Sequence, residues 1–246
     1  MLGLGGTFIY WQCAECGCVS LQNPPSNWDL YYPPNYYSFA PVHGSSIQTR
    51  AADRLRVTRT PIMSALVGKC RPDWTMMSLA PLRRTDSILD VGCGTGQIVA
   101  RLQRLGYNAV GIDPFVPSDI YDDKRLRVRK CELSEVKERY DVILLSHSLE
   151  HMPDQCGVLQ HVAGRLRADG RAIVRIPLAL EAWHRNRARW RELDAPRHLF
   201  LHTPKSLDIV ARAAGLRVVN TLFDSADVSA NARKQGERAS FSLVPL

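Results

Sequence analysis

Three glycines and two acids carry the plainest chemical signal in this 246-residue chain. In LDVGCGTGQ, residues 89–97, Gly92, Gly94 and Gly96 follow a short apolar run and precede one with helical spacing, so the loop joins a strand to a helix. Glycine lets a backbone turn tightly and approach a ligand closely, and the free N–H groups of a helix starting near Gln97 suit an anion. Asp90 stands two residues before the first glycine. Asp113 stands 21 residues after it, at the end of the next apolar run, placed to take two ribose hydroxyls. A dinucleotide fingerprint, G-x-G-x-x-G, needs glycine where Gln97 stands, which argues against a dehydrogenase.

Two histidines could move a proton near neutral pH. His151 lies in LEHMPD (149–154), and His198 in LDAPRHLFLHTPKSL (193–207), where Pro196 stiffens the backbone before Arg197 and His198. Each has a second reading: His151 as a packing residue at a helix entry, His198 as a lid residue bonded to backbone. Between them, EAWHRNRARWRE (181–192) spaces Arg185 with Arg189, Arg187 with Arg191, and Trp183 with Trp190 as a helix would. It reads as a lid whose arginines grip a phosphate-bearing acceptor, or as a cap packed by its tryptophans. Near the start, Cys13 and Cys16 have C-x-x-C spacing, with Cys18 beyond. They are the only zinc candidates, and two thiolates leave two of four positions unfilled, so bound zinc is not expected.

The elements that must hold these groups are legible from period and punctuation. Strands are predicted at 87–91, 108–113, 126–132, 140–146, 171–177 and 216–223, with a seventh at 241–244, and helices at 97–106, 154–170 and 203–215. Such alternation means an α/β fold, a doubly wound, Rossmann-like, mostly parallel sheet of six to seven strands. It occupies residues 85–246, with a lid segment at 178–202. Arg125, Arg127 and Arg129 alternate along KRLRVRK (124–130), as an outer edge strand would place them. Residues 1–45 read as an irregular, aromatic-rich appendage and 46–84 as a helical lead-in.

LDVGCGTG, GIDP, YDVILLSHSLEHMPD and LRADGRAIVRIP, in that order across roughly 85–223, resemble the successive motifs of class I S-adenosylmethionine-dependent methyltransferases. The segment at 193–207 resembles a subgroup that includes ubiquinone-biosynthesis-like enzymes and others that accompany polysaccharide synthesis. The resemblance implies S-adenosyl-L-methionine as cofactor. It assigns Asp90, Gly92, Cys93, Gly94, Gly96 and Gln97 to the methionine part, Asp113 and Pro114 to the ribose, and Glu132 and Leu133 to the adenine side. Ser146 and His147 fall where the family lines cofactor and substrate. Cys93 by itself reads as a small residue filling a tight turn. The implied reaction is methyl transfer to a small molecule, a hydroxyl of a sugar, polyprenyl or quinone-type compound, with His198 ahead of His151 as base and no metal. The polysaccharide-associated subgroup often has two cysteine knuckles, so a partner for Cys13 and Cys16 is expected upstream of Met1, in a chain that is truncated or begins at a misassigned Met.

Composition bounds the remaining classes. With 45% hydrophobic and 23% charged residues the chain is globular, and no apolar run nears the ~20 residues of a membrane-spanning helix. MLGLGGTFIYWQC lacks the basic start of a secretory signal, and seven cysteines, mostly scattered, suit a reduced cytosol. All 32 Lys and Arg lie from residue 50 onward, and the net charge is +8. That charge permits an RNA methyltransferase as the alternative, but an N-P-P-Y-like segment is missing after the fourth strand, where Ser146, His147 and Ser148 stand, so nucleic acid is not expected as partner. A non-catalytic cofactor-binding protein would not need the joint spacing of the glycines and Asp113.

Overall fold

The computed structural model describes residues 6–32, 76, 77, 79, 82–224 and 238–246. Along the chain, β1 (Tyr10–Gln12) and β2 (Val19–Leu21) precede the main unit, which opens with β3 (Ser87–Val91), α1 (Gln97–Arg104) and β4 (Asn108–Ile112). There follow β5 (Ile120–Asp122), β6 (Arg125–Arg129), β7 (Tyr140–Ser146), α2 (Gln155–Arg165) and β8 (Leu166–Pro177). The last elements are α3 (Glu181–Asn186), β9 (Phe200–Leu201), α4 (Pro204–Ala213), β10 (Leu216–Asp224) and β11 (Arg238–Pro245).

The main sheet has eight strands in the order β10-β11-β8-β7-β3-β4-β6-β5. The five from β8 to β6 pair in parallel, and β11 and β5 run antiparallel to their neighbours. The doubly wound class is as expected, with one strand more than the six to seven predicted. The extra strand is β5, three residues too short to leave a periodic pattern. It covers β6, so Arg125, Arg127 and Arg129 do not guard an open edge. Arg127 pairs with Asp122 at 2.6 Å and Arg125 donates to the Tyr107 carbonyl at 2.7 Å.

Alternation along the central strands builds two cores, one on each face of the sheet. Leu89, Val91, Ile143, Leu145, Val174 and Ile176 pack with Leu159, Val162, Leu207 and Ala211 of α2 and α4. Ile88, Val142, Leu144 and Ile173 pack with Val99 and Leu102 of α1 and with Met76, Met77 and Leu79. At α4, Thr203 caps the helix by accepting from Ser206 N at 3.1 Å, with Pro204 in the first turn. At α2 the Asp154 carboxylate accepts from Gly157 N at 2.9 Å. The helix stops short of the predicted end at Gly170: the backbone turns extended at Leu166 (ψ 144°), because Leu166 pairs across to Tyr140 and enters β8.

The N-terminal stretch is joined to the site rather than separate from it. β1 and β2 form an antiparallel hairpin, and β2 pairs antiparallel with β9. Tyr36, Tyr37 and most of the predicted helical lead-in lie outside the described residues.

Candidate active site

The glycine loop lies at the carboxyl end of β3, where a doubly wound sheet binds its ligand. Gly92, Gly94 and Gly96 have φ of 69°, 55° and 76°, all in the left-handed region. At two of them the close approach matters as much as the turn. A Cβ on Gly92 would sit 2.6 Å from Ser148 Cβ, and one on Gly96 would sit 2.7 Å from Val128 Cγ2. Cys93 folds over β4: a Cβ on Gly111 would meet its sulfur at 2.3 Å, so it fills the turn, and burial raises its thiol well above the ordinary range.

Asp113 is latched to this loop. One carboxylate oxygen accepts from Gly94 N at 2.8 Å and the other from Phe115 N at 2.9 Å. Asp90 is 2% exposed, and its carboxyl is pushed up to about 8, first by burial and then by the negative charge of Asp113. Gln97 opens α1, and Pro114 follows Asp113 into the turn. Glu132 is exposed at the N-cap of a short turn over Leu133–Glu135, where its N–H donates to Glu135 Oε2 at 2.7 Å, while Leu133 packs into the core.

Beyond β7 a second set of groups converges. His147 has φ 55°, a left-handed conformation that costs a non-glycine residue roughly 1–2 kcal/mol, and its turn aims the ring inward. Its Nδ1 donates to Glu150 Oε1 at 3.2 Å. Glu150 is fully buried, and its Oε2 has no hydrogen-bond partner. Burial alone would raise this carboxyl, but the His147 hydrogen bond, and the charge the neighbouring imidazoles take on at the low pH where a carboxyl titrates, outweigh it and hold the group below the usual carboxylate range. Across from it, His151 and His198 stand with ring centroids 4.8 Å apart. Ligand atoms of Glu150, His151 and His198 lie within 4.8 Å of one another. Burial pushes His151 down to about 4, so it is neutral at pH 7. Ser146, half-buried, ends β7 beside this cluster.

The sequence singled out His151, His198, Ser146 and His147, and the fold brings them to one sheet edge with Asp90 and Asp113. It did not single out Glu150, which reads in LEHMPD as a charge opening a helix, nor Tyr32, whose hydroxyl lies 3.2 Å from His151 Nδ1. Tyr10, on the hairpin, donates to the His198 carbonyl at 3.0 Å.

The lid segment differs from its sequence pattern. α3 stops at Asn186 and Arg187 adopts φ 48°, so no helix aligns Arg185 with Arg189 or Arg187 with Arg191. Arg185 pairs with Glu181 at 2.6 Å, and Arg187 lies over the Trp183 ring at 5.3 Å. Trp183 and Trp190 are buried with Val19, Leu193 and Leu201, an apolar cluster strong enough to override the helical period. Cys13 and Cys16 form a tight knuckle, with Gly17 N donating to the Cys13 carbonyl at 2.9 Å. Among the described residues no third His, Cys, Asp or Glu converges with them.

A family model described as a methyltransferase domain matches residues 68–221. The chain belongs to the methyltransferase-domain family. Within it, the chain is similar to a ubiquinone biosynthesis O-methyltransferase of Rhodopseudomonas palustris, 28% identical over 181 residues that cover 64% of this chain and 70% of the relative. It is also similar to the mitochondrial ubiquinone biosynthesis O-methyltransferase of Bos taurus, 35% identical over 97 residues, 34% of this chain and only 26% of that relative. Among solved structures, a 1,6-didemethyltoxoflavin-N1-methyltransferase of Burkholderia thailandensis, with bound 1,6-didemethyltoxoflavin and S-adenosylhomocysteine, superposes with a TM-score of 0.53 at 17% identity over 96% of this chain and 97% of that one. A glycopeptide N-methyltransferase complexed with S-adenosylhomocysteine gives 0.52 at 14% identity over 77% and 99%. These two share the fold.

Proposed function

We propose that this methyltransferase takes its methyl group from S-adenosyl-L-methionine and passes it to a hydroxyl of a small molecule, a sugar, polyprenyl or quinone-type compound, in the cytoplasm. The observation that carries the reading is the abutment of two half-sites: Ser148, between His147 and the Glu150–His151 pair, packs against Gly92 of the acid-flanked glycine loop. Ligand and acceptor chemistry then meet at one sheet edge.

The donor set fits the cofactor. Asp90 and Asp113 are two carboxylates close enough for one to raise the other, a pairing that a cationic ligand relieves. S-adenosylmethionine brings an ammonium and a sulfonium, and Asp113, latched by two N–H groups, keeps lone pairs for ribose hydroxyls. Bound there, the cofactor supplies an activated methyl group. Glu132 and Leu133 would border the adenine, and Ser146 and His147 the passage between cofactor and acceptor.

The chain's own residues position the acceptor and take its proton. His198 Nδ1 donates to the Glu192 carbonyl at 2.6 Å, which leaves Nε2 as the free lone pair. Nε2 lies 4.0 Å from Glu150 Oε1 and 4.0 Å from Asp194 Oδ2, so a proton taken up there meets two carboxylates. His198 is the proposed base, and His151, held neutral, the proposed acceptor contact. In-line displacement needs little more than alignment and exclusion of water, which the buried cluster and the hairpin provide. Mass spectrometry after incubating the chain with methyl-labelled cofactor and a metabolite extract tests the reading. Label in a small hydroxylated compound supports it, and label only in added RNA would replace it.

A further inference from the structure

Arg175 lies near the carboxyl end of β8 and is 2% exposed, a cation with almost no access to water. It stands opposite Ser146 in the β7–β8 register, and the next residue, His147, donates its backbone N–H to the Arg175 carbonyl at 2.8 Å. The left-handed backbone of His147 then turns the imidazole so that Nε2 meets Arg175 Nη1. A guanidinium has donors and no acceptor, so in this contact Nε2 must be the acceptor. The neutral ring therefore carries its proton on Nδ1, and that N–H is the one that holds Glu150 Oε1 at 3.2 Å.

We propose that Arg175 is a positioning residue for the site: through His147 it fixes the Glu150 carboxylate in place, with the held oxygen, Oε1, 4.0 Å from His198 Nε2. The inference rests on the reading of His198 as base, whose proton Glu150 faces. The imidazole stands between the buried Arg175 guanidinium and the fully buried Glu150, bonded to each through one ring nitrogen. The relay uses Oε1, and among the described residues Glu150 Oε2 is a buried atom without a hydrogen-bond partner. A left-handed histidine is tolerated where the surroundings over-determine it, and here backbone and both ring nitrogens are bound.

The relay can be read without any acceptor. In the full chain carrying ¹⁵N-histidine and ¹³C-glutamate, long-range NMR correlations report the His147 tautomer, and the side-chain carboxyl shift reports the Glu150 titration. The groups facing Glu150 are His147, His151 and His198, with Asp194 beyond His198. We expect His147 to be the Nδ1–H form in the wild type. Arg175→Met should give mixed tautomers and raise the Glu150 midpoint by about one unit or more, since a carboxylate then loses its fixed donor. Arg175→Lys should restore both. An Nε2–H His147 in the wild type overturns the proposal even if the Met variant fails to fold, and so does a Glu150 midpoint that Arg175→Met leaves in place. If these signals are as stated and no methyl transfer occurs, the relay stands and the reading of the reaction falls.

Discussion

His151 and His198 lie 47 residues apart in sequence and face each other at 4.8 Å, each with Nδ1 within hydrogen-bond reach of a backbone carbonyl, of Arg197 and of Glu192 respectively. Both rings thus leave Nε2 as the free nitrogen, but their surroundings differ. His151 is held near 4 by burial, a weak base at neutral pH, whereas His198 Nε2 faces two carboxylates. His198→Ala should therefore keep cofactor affinity and cut turnover by ~10²–10⁴-fold, the usual worth of a general base. His151→Ala should cost less. The reverse order, with both variants folded and binding cofactor, would move the base to the turn after β7.

Asp113 holds the loop and is also the proposed ribose contact. Asp113→Ala removes the acceptor of Gly94 N as well as the oxygens proposed to meet ribose hydroxyls. With roughly 1.5–3 kcal/mol per charged hydrogen bond, cofactor affinity should fall by at least about tenfold. Calorimetry with S-adenosylhomocysteine decides it, and an unchanged affinity, or tighter binding of NADH, would sink the cofactor assignment.

The glycine–acid arrangement was legible in sequence because it is local: strand, loop, helix and second strand follow one another between residues 87 and 113, and each has its own period. Glu150 was not, because its role comes from His147, His198 and a strand 25 residues further on. The lid misled for a related reason. Its arginines have a helical spacing, but Trp183 and Trp190 find a better burial against the β2 and β9 residues Val19 and Leu201, a contact that joins chain positions about 170 residues apart. Propensity yields to burial of that size.

Gly92 is constrained twice, by φ 69° and by Ser148 at 2.6 Å from a built Cβ. Gly92→Ala should destabilise the chain by about 1–3 kcal/mol, seen as a lower denaturation midpoint. It should also weaken cofactor binding, because relief of the clash moves Ser148 and the loop apart. A variant of unchanged stability and affinity would mean that the loop and the turn after β7 are not coupled.

Asp90 gives the last test a sign. With its carboxyl at about 8, it is about nine-tenths protonated at pH 7 in the cofactor-free chain. A bound cation beside it favours the carboxylate, so binding should expel close to one proton. Affinity should then rise with pH, by at most about tenfold per unit, up to about pH 8 and level off above. The same shift acts on stability in the opposite sense: the folded chain holds a proton that the unfolded one, with an ordinary value of 3.8, releases, so cofactor-free stability should decline as pH climbs from about 4 to about 8. Calorimetry at pH 7 in phosphate and in Tris, whose ionisation enthalpies differ, counts the proton. Asp90→Asn should abolish both the release and the pH dependence of affinity. Proton uptake on binding, or release that persists in the Asn variant, would show that the ligand's charge lies away from Asp90 and that the acid pair does not serve the cofactor.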